Sequence, residues 1–195
     1  KFLIEETGGT RGSVSGGGRE ADVRDVALSA VLVSGTPSLR HYSTGGDDDA
    51  VWGLGLGCNG MVDVFVQPAT AGPLAALAGR LRELLLGDAP FALATVVDGS
   101  NDLGATLLLE PDGTVRGSLG ASGTGDLDRL AVEQARGLLP AGRSGVHTIA
   151  GRRVFVEVLP PPPHLVVCGA GEDARPLVAY AADSGFRVTV IDHRP

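Results

Sequence analysis

A short internal repeat constrains the fold more than any other feature of this sequence. Residues 3–14 read LIEETGGTRGSV, and residues 107–119 read LLLEPDGTVRGSL. Aligned with one gap, both contain an apolar stretch, an acidic residue, a glycine-containing turn and the run Arg-Gly-Ser. Glycine readily adopts the positive φ angles that tight hairpin turns require. Each segment is therefore predicted to form a β-hairpin.

The two segments are followed by the same order of elements. Residues 19–35 and 124–142 carry apolar residues at helical spacing. Alternating strand patterns then follow at 61–68 and 153–160, and each of these ends at a proline. Three matches in the same order are improbable by chance. The sequence therefore predicts two related β-hairpin/helix/strand units.

These units define an α+β region over residues 1–159. Copy one covers 1–70 and copy two covers 90–159, and the amphipathic stretch 72–89 is predicted to be the connecting helix. Copy two also has an opening strand at 91–97 with no equivalent in copy one. We therefore expect the first strand of copy one to be missing from this chain.

Copy one also carries a long insertion before its last strand. Residues 43–60 read STGGDDDAVWGLGLGCNG, with the single tryptophan and one of the two cysteines of the chain. Copy two joins the equivalent strands through a short turn. Long loops in compact domains are usually functional or disordered. The apolar residues here favour a functional loop.

A different pattern begins after the proline run at 160–163. Residues 164–195 read as a strand, a glycine turn, a helix and a second strand, which predicts the start of an α/β Rossmann-type domain. In such domains, residues placed like Gly169 and Gly171 let the backbone approach a pyrophosphate. Asp192 ends the second strand, where a carboxylate can accept hydrogen bonds from ribose hydroxyls.

The first strand of this unit, LVVCG, is predicted to be buried, which makes Cys168 a core residue. The helix is expected from about residue 172 to residue 184. A doubly wound sheet needs several more strands than residues 164–195 supply, so the βαβ unit is incomplete.

Three motifs together resemble the XdhC/CoxI family, the accessory factors of xanthine dehydrogenase and related molybdenum hydroxylases. They are RGSVSGG, DDAVWGLGLGCNGMVDVFVQP and PPPPHLVVCGAGEDARPLVAYAADSGFRVTVID, and the resemblance extends over nearly the whole chain. The resemblance implies an XdhC/CoxI domain followed by a Rossmann domain. Some family members carry the name xanthine dehydrogenase, although this chain has no likeness to the iron–sulfur, flavin or molybdopterin domains of that enzyme.

The resemblance implies a maturation role without catalysis of its own. Such a protein binds molybdenum cofactor and delivers it to an apo molybdenum hydroxylase of the xanthine or carbon monoxide dehydrogenase type. A cofactor sulfurase and a second copy of the chain are further candidate partners.

The resemblance also places the cofactor site in two glycine-rich segments. The implied cofactor-binding residues are Ser13, Ser15, Gly16 and Gly17 in the first segment and Cys58, Asn59 and Gly60 in the second. Cys58 is also the candidate metal ligand. Family members usually have a cysteine directly after the first motif, where this chain has Gly18. Hydrogen bonding by the glycine-rich backbone is therefore the expected mode of binding.

Two alternatives remain at this stage. One is an NAD(P)-binding oxidoreductase that uses Gly169, Gly171 and Asp192, and the other is an interaction scaffold with a vestigial nucleotide fold. The net charge of −7 argues against a nucleic-acid or anionic-membrane binder, because phosphate neutralisation needs clustered basic residues. The sequence shows no membrane-length apolar run, and its two cysteines are typical of a cytoplasmic protein.

Overall fold

The chain forms a mixed α+β structure with several small sheets. The computed structural model describes residues 1–15, 19–43, 61–98, 101–120 and 126–193. The strands are β1 (Phe2–Ile4), β2 (Thr10–Gly12), β3 (Ser38–Ser43), β4 (Met61–Val66), β5 (Phe91–Val96), β6 (Thr106–Leu109), β7 (Val115–Gly117), β8 (Gly145–Ile149), β9 (Arg152–Leu159), β10 (His164–Cys168) and β11 (Arg187–Ile191). The α-helices are α1 (Glu20–Val26), α2 (Leu32–Ser34), α3 (Gly72–Leu85), α4 (Asp126–Leu138) and α5 (Ala174–Asp183). A π-helical turn, Ala27–Val31, joins α1 to α2. Within these described ranges no helix is long and apolar enough to cross a membrane.

The second unit is a five-stranded antiparallel sheet with the order β7-β6-β5-β9-β8. Alternate residues of its central strands face opposite sides, because successive side chains of a strand point to opposite faces. Ala94 and Leu107 pack with Ala131 of α4 on one face. Leu93 and Leu108 pack with Leu77 of α3 on the other. Since both faces are covered, every residue of β5 and β6 is buried, including the polar Thr95 and Thr106, and this sheet holds the main core.

The helix α3 follows the β3–β4 pair and precedes β5, and it is shorter than the predicted range 72–89. Pro73 stands in its first turn, where the missing N–H costs no hydrogen bond. The buried Leu77 lies on its inner face, with Leu81 and Leu84 packed beside the same core. The helix ends at Leu85, and Gly87 then turns the chain toward β5.

The first unit is arranged as two separate antiparallel pairs, β1 with β2 and β3 with β4. Among the described residues of this unit, no strand corresponds to β5 of the second unit. The helical segment from α1 to α2 buries one face, at Val23, Ala27 and Val31. The first unit therefore contributes a small core of its own beside the larger one.

The hairpins β1–β2 and β6–β7 have the same local geometry. Leu3 pairs with Arg11 in the first hairpin, and Leu108 pairs with Arg116 in the second. This correspondence needs no gap, whereas the sequence alignment used one. Gly12 and Gly117 have φ angles of 81° and 78°. A Cβ at either position would collide with a backbone carbonyl of the neighbouring strand, so both hairpins require glycine here.

The segment after the proline run forms one βαβ unit. Strands β10 and β11 are parallel, and α5 lies between them in sequence. The helix begins at Ala174, two residues later than expected. A single βαβ unit does not define a Rossmann domain, so that assignment and the domain boundary at 160–163 stay predictions.

The prediction that the first strand of this unit is buried is wrong. Leu165 and Val167 are half-buried, but Val166 is 50% exposed and Cys168 is exposed as well. On the neighbouring strand, Ile191 is 52% exposed. One helix covers only one face of a two-stranded sheet, so every second side chain stays in solvent. Cys168 therefore is not a core residue.

Candidate functional site

The first glycine-rich segment is organised by a residue that the motifs did not single out. The carboxylate of Glu20, at the start of α1, accepts hydrogen bonds from the backbone N–H groups of Val14 at 3.1 Å, Ser15 at 2.7 Å and Arg19 at 3.2 Å. It also accepts the Ser15 hydroxyl at 2.7 Å. These bonds, led by that of the Ser15 hydroxyl, lower the pKa of Glu20 to about 2. The carboxylate thus ties together both ends of the loop.

Both predicted serines of this segment contribute to the shape of the loop. The hydroxyl of Ser13 donates to the Ser15 carbonyl at 3.1 Å, and Ser118 makes the same bond to Gly120 at 3.2 Å in the second unit. The hydroxyl of Ser15 also accepts the Arg19 N–H at 3.3 Å. Direct contact of either serine with a cofactor stays a prediction. Gly16, Gly17 and Gly18 lie outside the described residues.

A polar cluster lies beside this loop. The guanidinium of Arg19 lies over the ring of Tyr42, 5.0 Å from its centroid, and the Tyr42 hydroxyl donates to the carboxylate of Asp22. Burial and this hydrogen bond raise the pKa of Tyr42 to about 12. Helix α1 and strand β3 therefore meet at a cation, an aromatic ring and a carboxylate.

The long insertion leaves and returns at this end of the β3–β4 hairpin. Ser43 pairs with Met61, so residues 44–60 begin and end at neighbouring positions. Tyr42 is the residue before Ser43, so the end of β3 lies next to Arg19, the first described residue after the glycine-rich segment. The stretch 44–60 itself, with Cys58, Asn59 and Gly60, lies outside the described residues.

A second charged group supports the same hairpin. His41 and Asp63 are paired across β3 and β4, and Nδ1 of His41 lies 2.6 Å from Oδ1 of Asp63. Arg153 of β9 donates to the other oxygen of Asp63 at 3.2 Å. The bonds from His41 and then Arg153 lower the pKa of Asp63. This group fixes the hairpin against the sheet of the second unit.

Sequence reasoning missed Glu20, Arg19, Asp22 and Tyr42. One signal was available for Glu20, since acidic residues are favoured in the first turn of a helix. The capping-box spacing of three residues does not apply, because Glu20 follows Ser15 by five positions. The contact between Arg19 and Tyr42 joins two elements, and no local pattern indicates it.

Asp192, the acidic residue predicted to bind ribose, accepts a hydrogen bond from the glycine turn of its own βαβ unit. Gly169 has a φ of 116°, and the next residue, Ala170, donates its N–H to the carboxylate of Asp192 at 2.6 Å. The Asp192 side chain is only 11% exposed. Asp192 therefore closes the turn in this structure. Nucleotide binding by Gly169, Gly171 and Asp192 stays a prediction.

Among the described residues, neither the first glycine-rich segment nor the glycine turn of the βαβ unit coincides with an open cavity or a group of metal-ligating side chains. In the part of the chain that the structure describes, no three His, Cys, Asp or Glu side chains could hold one metal ion together. A surface cavity of about 550 Å³ lies between α4 and the β8–β9 turn, near Gln134 and Ala150. Another of about 430 Å³ lies along α3, near Leu74 and Leu81. Neither cavity is lined by a predicted site residue.

Comparison with known proteins places the second unit in a family. Residues 84–150 match the model of the XdhC and CoxI family. Over this segment, about a third of the chain, the sequence is similar to the XdhC/CoxI family. The resemblance inferred from the motifs is thereby confirmed. The XdhC/CoxI match spans β5 to β8, so the predicted cofactor residues in copy one and in the βαβ unit lie outside it.

Two further proteins are similar to the whole chain. A protein of Bacillus subtilis (strain 168) described as a probable subunit of xanthine dehydrogenase is 29% identical over 194 residues. The match covers 100% of this chain and 54% of that protein. A crystal structure described as a xanthine dehydrogenase from Bacillus halodurans is 25% identical, with a TM-score of 0.74 over 100% of this chain and 53% of the other. The chain thus spans about half the length of these relatives.

Proposed function

We propose that this chain is part of an accessory factor that binds molybdenum cofactor and delivers it to a molybdenum hydroxylase of the xanthine dehydrogenase type. The proposal is carried by the XdhC/CoxI match at residues 84–150. The names of the two relatives, both of which refer to xanthine dehydrogenase, support it.

The chemistry of the described residues beside the first glycine-rich segment fits such a cofactor. The cofactor carries a phosphate, a pterin with several N–H groups and an oxo-metal centre. The guanidinium of Arg19 suits a phosphate, and the carboxylate of Asp22 accepts N–H donors. The ring of Tyr42 offers an apolar, aromatic surface for a pterin. In this proposal Arg19, Asp22 and Tyr42 hold the cofactor, and Cys58 in the neighbouring insertion contacts its metal or sulfur.

The first test is direct binding. The purified chain is incubated with molybdenum cofactor or with NAD(P)H, and the ligand that remains after gel filtration is measured. We expect retention of molybdenum cofactor. Arg19→Ala should weaken retention several-fold, and the matched control Arg129→Ala, on the exposed side of α4, should not. Failure of the unmodified chain to retain molybdenum cofactor would overturn the proposal.

The second test is delivery. An apo molybdenum hydroxylase is mixed with cofactor in the presence or absence of the chain, and the appearance of hydroxylase activity is followed. We expect a larger yield of active enzyme with the chain present. A chain that binds cofactor but leaves the yield unchanged would restrict the role to storage or protection.

Nucleotide binding at the βαβ unit is a second candidate function. It is favoured by the glycine turn between a parallel strand and a helix, with Gly169 in the positive-φ region. Retention of NAD(P)H alone would support the oxidoreductase alternative. Retention of neither ligand would favour the interaction scaffold.

A further inference from the structure

We infer that Glu20 is a positioning residue for the cofactor-binding loop, acting through the backbone of Val14, Ser15 and Arg19. The inference rests on the proposed function and assigns Glu20 a role that no motif in the sequence indicates. Glu20 does not touch the cofactor in this account. It sets the geometry of the residues that flank the predicted binding glycines.

The hydrogen bonds to Glu20 use the full capacity of its carboxylate. Oε1 accepts the N–H groups of Val14 and Ser15. Oε2 accepts the Ser15 hydroxyl and the N–H of Arg19. A carboxylate offers about four acceptor positions, so these four donors occupy it. Glu20 is therefore engaged with the loop and has no acceptor left for a ligand.

The second unit provides a comparison for Glu20, because an acidic residue also stands in the first turn of its helix. There Asp128, in the first turn of α4, accepts the backbone N–H of Leu119 at 2.8 Å. Leu119 follows β7 just as Val14 follows β2, and it is fully buried. Among the described residues, which omit 121–125, this hydrogen bond anchors the start of the helix to the hairpin. Glu20 accepts the corresponding bond from Val14 and further bonds from Ser15 and Arg19, in the unit that carries the predicted site.

Glu20 also determines where a ligand cannot bind. An anionic group would compete with the Glu20 carboxylate for the N–H groups of Ser15 and Arg19, and the two negative charges would repel each other. The N–H groups of Ser15 and Arg19 thus donate to Glu20 and not to a ligand. The side chain of Arg19, held over Tyr42, is the described group of this loop that is suited to an anionic ligand.

The test compares Glu20→Ala and Glu20→Gln with the matched control Asp128→Ala in the full chain. Three quantities are measured: the thermal unfolding midpoint, the amide hydrogen exchange of Ser15 and Arg19, and the affinity for molybdenum cofactor. Glu20→Ala should speed exchange at both amides and weaken cofactor binding by about tenfold. Glu20→Gln keeps one acceptor oxygen, so its affinity should be intermediate.

The control separates a positioning role from a general loss of stability. Asp128→Ala should lower the midpoint and leave cofactor affinity and the Ser15 and Arg19 exchange unchanged. Equal loss of affinity in Asp128→Ala and Glu20→Ala would overturn the inference, as would unchanged affinity in Glu20→Ala. If Glu20→Ala does not fold, Glu20→Gln decides the matter. If the unmodified chain retains no cofactor, the proposed function itself fails, which is a distinguishable result.

Discussion

The backbone N–H of Ala170 donates a hydrogen bond of 2.6 Å to the carboxylate of Asp192. This bond joins the end of β11 to the glycine turn that follows β10. A second bond, from the N–H of Gly169 to the carbonyl of Ile191 at 2.7 Å, supports the same connection. The acid that the sequence predicts for ribose binding therefore has a structural partner within its own unit.

Replacement of Asp192 by alanine should loosen this turn. A hydrogen bond to a charged acceptor contributes about 1.5–3 kcal/mol, so the amide exchange of Ala170 should become at least tenfold faster. Hydrogen exchange measured by NMR checks this. Asp183→Ala, at the exposed end of α5, serves as the control and should leave Ala170 unaffected. Unchanged exchange in Asp192→Ala would show that the turn holds without the carboxylate.

The two hairpin glycines should be intolerant of substitution. Gly12→Ala and Gly117→Ala each place a Cβ against a backbone carbonyl at a positive φ. We expect each to lower the free energy of unfolding by more than about 1 kcal/mol. The larger loss is expected for Gly117, which pairs within the five-stranded sheet. Chemical denaturation of the variants gives these values.

Gly79 provides the contrasting control. It lies inside α3, has no atom within 4 Å of an added Cβ, and has no positive φ. Gly79→Ala should therefore raise the free energy of unfolding by about 0.5–1 kcal/mol, because alanine is the better helix former. A loss of stability in Gly79→Ala as large as that in Gly117→Ala would contradict the steric explanation.

Tyr42 should ionise at unusually high pH. Its pKa is raised from 10.0 to about 12, so the protonated form is stabilised by the fold. The resulting contribution to stability is complete below pH 10.0 and is lost as the pH rises through about 12. Tyrosinate absorbance should show a step near pH 12 that is missing in Tyr42→Phe. The titration is read in a Tyr180→Phe background, which leaves Tyr42 as the single tyrosine of the chain. In that background Asp22→Asn should move the step toward pH 10.0, and a step already at pH 10.0 with Asp22 intact would refute the account.

Glu110 should make the protein sensitive to acid. It is 2% exposed and lies between the guanidinium groups of Arg80 and Arg116, and these bonds, led by that of Arg80, lower its pKa from 4.5 to about 2. A lowered pKa gives stability that is present above pH 4.5 and is lost as the pH falls through about 2. Glu110→Gln should lower the free energy of unfolding at neutral pH by about 1.5–3 kcal/mol.

The same variant should have a flatter stability profile between pH 4.5 and pH 2. Some acid sensitivity will remain, because Glu20 also has a lowered pKa in this range. Glu133→Gln, an exposed residue paired with Arg129, is the control and should cost little. Identical acid profiles for Glu110→Gln and the unmodified chain would show that Glu110 does not contribute.

Local patterns identified the hairpins, the helices and the glycine turn because these features depend on residues close in sequence. Gly8 and Gly113 adopt the expected positive φ in their turns, and Pro73 marks the start of α3. The burial of individual residues was harder to predict from the sequence. Cys168 is exposed because the second face of its sheet has no cover among the described residues, and a single strand cannot indicate which of its faces will be covered.

The charged contacts were not predictable for a related reason. Arg80 reaches Glu110 across 30 positions of sequence, and Arg153 reaches Asp63 across 90. A positively or negatively charged side chain can lie on many surfaces. Which residue it contacts therefore depends on how the elements pack. The contact between Arg19 and Tyr42 depends in the same way on α1 meeting β3.

The sequence by itself determined the order of the elements, the two hairpins with their turn glycines and the family likeness, because turn geometry and hydrophobic periodicity are local properties. The tertiary structure alone decided that Glu20 accepts hydrogen bonds on both sides of the first glycine-rich segment, that Arg19 lies over the ring of Tyr42 and that Asp192 closes its own turn. The Arg19–Tyr42 contact and the bond to Asp192 join residues that become neighbours only when separate elements pack, and the bonds to Glu20 depend on how the chain turns between β2 and α1.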